Sequence, residues 1–134
     1  MLNQYLPDGD AIQFPAPAAT TKGMPVLIGQ MPAVAIDNYN ANTGRCTFCL
    51  VGVYKLTVIG QSTQSPVSGL AIKPGDELFA SGGTLDATTN ITTGITIDRT
   101  RGGVPFGNYV GTGITAGATD TAAPVRLQNS VSRD

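Results

Sequence analysis

The chain has 134 residues, of which only 13% are charged, with 17 glycines, nine prolines, no histidine and a formal net charge of −1. That length supports one domain with one substantial core, and so many helix-breaking residues leave little room for long helices. Acids and bases are scattered, so no basic stripe is present to release counterions, and nucleic acid is not an expected partner.

Residues 1–20 read differently from the remainder. Leu6-Pro7-Asp8-Gly9-Asp10 is a turn signal, and Phe14-Pro15-Ala16-Pro17-Ala18-Ala19 is extended and proline-spaced. Leu2, Tyr5, Leu6, Ile12 and Phe14 are sizeable apolar anchors without a helical or strict strand period. Such a segment is an arm lying on a partner, a first edge strand leading into the domain, or a disordered terminus. The expected organisation is an extended N-terminal arm over 1–20 and a β-barrel or β-sandwich domain over 21–134. The first residues lack the basic and apolar regions of a signal peptide, and no apolar stretch approaches the roughly 20 residues that span a bilayer. The expectation is a soluble protein made in a cytosol, with no membrane partner.

From Thr21 the pattern becomes regular. Met24 to Gln30 is a short strand with Pro25 near its start, and Pro32 to Ile36 is a second apolar run. Asp37 to Gly44 is a polar loop of turn formers. Cys46 to Ile59 follows as the strongest element, with Phe48, Leu50, Tyr54, Leu56 and Val58 on one face and Cys49, Val51, Val53 and Thr57 on the other. Apolar residues on both faces predict a central strand buried on both sides. Lys73-Pro74-Gly75-Asp76 is a tight turn into the strand Glu77 to Ala80. Asp86 to Arg101 is threonine-rich, with Ile91, Ile95 and Ile97 spaced as in short hairpins, and Val104 to Ile114 and Ala123 to Leu127 supply the last strands. No i, i+3, i+4 apolar pattern persists for two turns, so the predicted class is all-β, a compact barrel or sandwich.

Residues able to do chemistry are sparse. Without histidine the commonest general base is missing, and Ser-His-Asp or Cys-His devices are impossible. Five of the nine acids, Asp8, Asp10, Asp37, Asp76 and Asp120, sit in predicted turns, where aspartate bonds nearby backbone N–H groups. Cys46 and Cys49 form a lone CxxC, a pattern also seen in redox motifs and half zinc sites. On a strand, residues three apart point to opposite faces, so the two sulfurs should diverge, and both cysteines read as buried thiols. Gly82-Gly83 and Gly102-Gly103 lack the GxxxxGK[ST] context of a phosphate loop and read as turns. No catalytic residue, metal ligand or cofactor is expected, and the chain reads as a non-enzyme.

Several phrases recur in a fixed order: Gly9-Asp10-Ala11-Ile12 with Pro15-Ala16, then Met24 to Ile28, Val34-Ala35-Ile36 and Gly44. Gly52-Val53-Tyr54-Lys55-Leu56, Ile72-Lys73-Pro74-Gly75-Asp76-Glu77-Leu78-Phe79, Phe106-Gly107-Asn108-Tyr109-Val110 and Val125-Arg126-Leu127 complete the order. In that order the chain resembles the capsid decoration (cement) proteins of tailed bacteriophages, small all-β head proteins. It departs from their pattern at Phe79-Ala80, where an aromatic-Asp pair is more usual, and in its two cysteines. The resemblance implies a structural virion protein on the outer capsid surface, a homo-oligomer, expected to be a trimer, whose partner is the major capsid protein. It implies capsid-binding roles for Leu2, Tyr5, Leu6, Ile12 and Phe14 in the arm. Turn and structural roles fall to Gly52, Pro74, Gly75 and Asp76. A head-fibre base or a module that recognises host-surface glycans is the alternative reading.

Overall fold

The computed structural model describes residues 11–60, 71–100 and 103–127. Among them there is no helix, and eleven strands form two antiparallel sheets, an all-β sandwich. The strands are β1 (Ala11–Pro15), β2 (Pro25–Ile28), β3 (Met31–Ala35), β4 (Arg45–Cys49), β5 (Val53–Ile59) and β6 (Glu77–Ser81), followed by β7 (Thr84–Asp86), β8 (Ile91–Thr93), β9 (Thr96–Asp98), β10 (Val104–Tyr109) and β11 (Thr119–Leu127). One sheet has six strands in the order β1-β4-β3-β2-β8-β7, and the other has five in the order β5-β11-β10-β6-β9.

The turns follow from residue chemistry. β2 and β3 pair from Pro25↔Val34 to Ile28↔Met31, closing on the two residues Gly29-Gln30. Gly29 has φ +64°, the sign a type II′ turn requires at its first central position. Before β6, Pro74 and Gly75 occupy the centre of a turn closed by Asp76 N–H donating to the Lys73 carbonyl at 3.1 Å. Gly75 has φ +91°, as the third residue of a type II turn needs, and proline pre-sets the position before it.

The principal core lies between the sheets. Leu27 and Val34 enter it from the six-stranded sheet, and Leu56, Val58, Leu78, Ile97, Phe106, Tyr109 and Val125 from the five-stranded one. Ile72 and Ile114, joined by an isolated bridge, also belong to it. The outer strands β5 and β9 bring Cα atoms within 8 Å of one another without pairing, so the five-stranded sheet curls around this core. A second cluster, with Val26, Ile28, Ala33, Ala35, Cys46, Phe48 and Ile91, occupies the opposite face of the six-stranded sheet.

Two expectations are corrected here. Cys46 to Ile59 is not one central strand: it divides into β4 and β5, which belong to different sheets. The break falls at Leu50 to Gly52, where Gly52 adopts φ +115°, a backbone state that side chains with a Cβ rarely adopt. The Tyr54 hydroxyl donates to the Val51 carbonyl at 2.8 Å, and Leu127 N–H donates to the Gly52 carbonyl at 2.9 Å, holding the crossover. Two-sided burial belongs instead to β2 and β3, where Val26–Ile28 and Pro32–Ala35 are continuously buried. Their neighbours in the run feed the two clusters alternately.

The second correction concerns the arm. Ala11–Pro15 are β1, paired with β4 from Ala11↔Cys49 to Pro15↔Arg45. Ala16 and Thr20, in the connection to β2, are buried. Residues 11–20 are thus part of the sandwich, and of the three readings of this stretch the edge strand is the one seen. Residues 1–10 lie outside the described residues.

Candidate binding surface

The arm anchors divide. Leu2, Tyr5 and Leu6 lie outside the described residues, whereas Ile12 and Phe14 sit half-buried on β1, opposite Phe48 and Cys46 of β4. Phe14 packs against Phe48 with ring centroids 6.2 Å apart and planes at 52°, a tilted aromatic pair. Phe14 therefore packs on the chain's own second cluster, and Ile12 and Phe14 are both members of the sheet. Among the described residues β1 ends the six-stranded sheet, so what it offers a partner is its outer edge. An edge strand presents backbone donors and acceptors as a template for another strand.

Asp76 accepts from Lys73 N–H at 2.8 Å through Oδ2, and the same oxygen lies 3.5 Å from Arg99 Nη1. Arg99 also donates to the Ala71 carbonyl at 3.3 Å. Gly75 N–H donates to the Tyr109 carbonyl at 2.7 Å, and Tyr109 N–H returns a bond to the Asp76 carbonyl at 3.0 Å. Gly75 and Asp76 thus tie the entry of β6 to the end of β10.

The five-stranded sheet carries a second exposed feature. Leu56, Val58, Ala123, Val125 and Tyr109 point inward, so Val53, Lys55, Pro124, Arg126, Asn108 and Val110 line its outer face. Val53 pairs with Arg126 and Lys55 with Pro124, while Val110 N–H donates to the Pro124 carbonyl at 3.0 Å. Val53 is 54% exposed and Val110 45%, with two cations beside them. Sequence reading missed this surface, since it assigned Val53 to a buried face.

The two cysteines diverge as their spacing requires. Cys46 is buried in the second cluster, its thiol donating to the Asp37 carbonyl at 3.1 Å, whereas Cys49, expected to be buried too, is only half-buried; both are free thiols. Burial pushes the Cys46 thiol above its ordinary range. Among the described residues no group of three or more His, Cys, Asp or Glu is placed to hold a metal ion, and no helix is long and apolar enough to cross a membrane. Comparison with known protein families, with curated proteins and with solved structures returned no match.

Proposed function

We propose that this chain is a structural virion protein, a capsid decoration protein that binds the outer surface of an assembled phage head and steadies contacts between capsid subunits. The observation that carries the reading is the position of β1. The segment that the resemblance assigns to capsid contact continues into β1, which among the described residues is the end strand of its sheet. A strand of the major capsid protein would extend the six-stranded sheet at that edge, with backbone hydrogen bonds supplying affinity. The outer face of β5, β11 and β10, with exposed Val53 and Val110 among Lys55 and Arg126, is a further surface open to a neighbouring subunit or a second copy of this chain.

Function on this reading is mechanical. A protein that binds only the mature lattice adds its binding free energy to that lattice, about 2.7 kcal/mol per site at 100 times the dissociation constant. A trimer engaging several subunits at once gains avidity through effective concentration. No bond is made or broken, and no cofactor or nucleic acid takes part.

The test separates residues 1–10 from the sandwich. Deleting residues 1–18 would remove β1 and unfold an edge, so the informative variant lacks residues 1–10 only. Its occupancy on heads lacking the native protein, counted by quantitative mass spectrometry, is expected to fall at least about tenfold, a loss of about 1.4 kcal/mol. Wild-type copies in the hundreds per particle fit a cement role. Around a dozen copies, or no association with heads, would refute it in favour of a vertex fibre base or a different partner.

A further inference from the structure

A groove of about 490 Å³ opens beside the β1–β4 edge, beneath the loop that joins β3 to β4. Gln13 of β1, Asp37, Asn38, Tyr39 and Asn40 of the loop, and Arg45 of β4 line it. We propose that this groove binds a neutral saccharide, a mono- or disaccharide unit of a surface glycan.

The donor set points to that class. One guanidinium and one carboxylate leave the lining without net charge, so it does not select an anion. Arg45 Nη1 is moreover engaged with the Gln13 carbonyl at 3.3 Å. Apart from Tyr39, Ala41 and Cys46, the lining residues are polar, so an apolar ligand would leave their donors and acceptors unsatisfied. A sugar has hydroxyls that both donate and accept, and a C–H face that rests on an aromatic ring. Asp37 offers acceptors, Asn38 and Asn40 offer amide donors, and the half-buried Tyr39 is the aromatic residue of the lining.

The loop is also held in one shape before any ligand arrives. The Asn38 side-chain oxygen accepts from Lys22 N–H at 2.9 Å, and the Asn40 oxygen accepts from Asn42 N–H at 2.9 Å. Fixing each oxygen fixes each amide NH₂ group. Tyr39 N–H donates to the Thr20 carbonyl at 3.1 Å, Asn40 N–H to the Arg45 carbonyl at 3.0 Å and Ile36 N–H to the Thr47 carbonyl at 3.0 Å. Tyr39 itself packs against the second cluster. Side chains ordered in this way lose little entropy when a ligand binds.

The site does not rest on capsid binding and is tested on the isolated full chain. Glucose, galactose, mannose, N-acetylglucosamine, maltose and lactose are titrated in turn while backbone amide resonances are followed. At least one should produce saturable shifts centred on residues 37–47, with a dissociation constant in the millimolar range. Asn38→Asp and Asn40→Asp each keep the oxygen that accepts the backbone N–H and remove the amide donor. Each should therefore weaken binding about tenfold while the melting temperature stays near that of the parent. The proposal is overturned if none of the six sugars gives saturable shifts in this segment, or if both aspartate variants bind as tightly as the parent. It is equally overturned if inorganic phosphate reproduces the shifts, since the groove would then be an anion site.

Discussion

Truncating Phe14 to alanine distinguishes a strand that belongs to the domain from an arm that serves only a partner. Phe14 is half-buried on β1 and its ring meets that of Phe48, which is fully buried. Full burial of a phenylalanine side chain is worth about 1.5–3 kcal/mol, so half burial contributes about 1 kcal/mol. The tilted ring pair adds about 0.5–1.5 kcal/mol beyond the area it covers. Phe14→Ala should then destabilise the isolated chain by about 2 kcal/mol, lowering the melting temperature by about 6–10 °C for a domain of this size. Urea denaturation should show a lower midpoint with an unchanged slope, because the same surface is exposed on unfolding. A cycle with Phe48→Leu should return a coupling of about 0.5–1.5 kcal/mol. If Phe14→Ala unfolds as the parent does, or if the coupling vanishes, β1 is not held by this contact and the assignment of residues 11–15 to the sandwich fails.

A Cβ at Gly107 would lie 2.3 Å from the Arg126 carbonyl oxygen and 3.0 Å from Val125 Cγ1. Gly107→Ala should therefore force β10 and β11 apart, at a cost of about 3 kcal/mol or more, read as a large fall in the denaturation midpoint. Tyr54→Phe removes only the hydroxyl that bonds the Val51 carbonyl at the sheet crossover, and calorimetry should register a loss of about 1 kcal/mol. Cys49 should react with a thiol reagent in the native state, whereas Cys46 should react only when the domain opens, which mass mapping of the labelled peptides resolves. Because burial raises the folded-state pKa of Cys46 above its unfolded value, the protonated thiol favours the native state. That contribution is complete below the unfolded pKa and is lost as pH rises through the folded one. Denaturation midpoints should accordingly decline above about pH 9 in the parent and decline less in Cys46→Ala, compared each to its own neutral value.

The sequence by itself determined the class and much of the local geometry. Glycine, proline and the absence of helical periodicity exclude helices, and Pro74-Gly75 dictates a type II turn because one residue pre-sets φ and the next tolerates its positive value. The opposite faces of Cys46 and Cys49 were likewise legible, since strand alternation is a local property. Sheet membership was not. Cys46 to Ile59 looks like one strand because apolar residues continue through Leu50 and Val51, and only the packing of Leu56 and Val58 into one cluster and Phe48 into the other shows the break at Gly52. For β1 the same limit applied: Ala11–Pro15 is only five residues long, ends in proline and is followed closely by Pro17, and its strand state comes from pairing with β4, 30 residues along the chain. The groove under the Asp37–Gly44 loop was invisible for this reason too, because turn formers reveal a loop but not the strand edge across which it lies. Periodicity along a chain reports which face a side chain takes, whereas which strand lies beside it is settled by long-range burial that no short window contains.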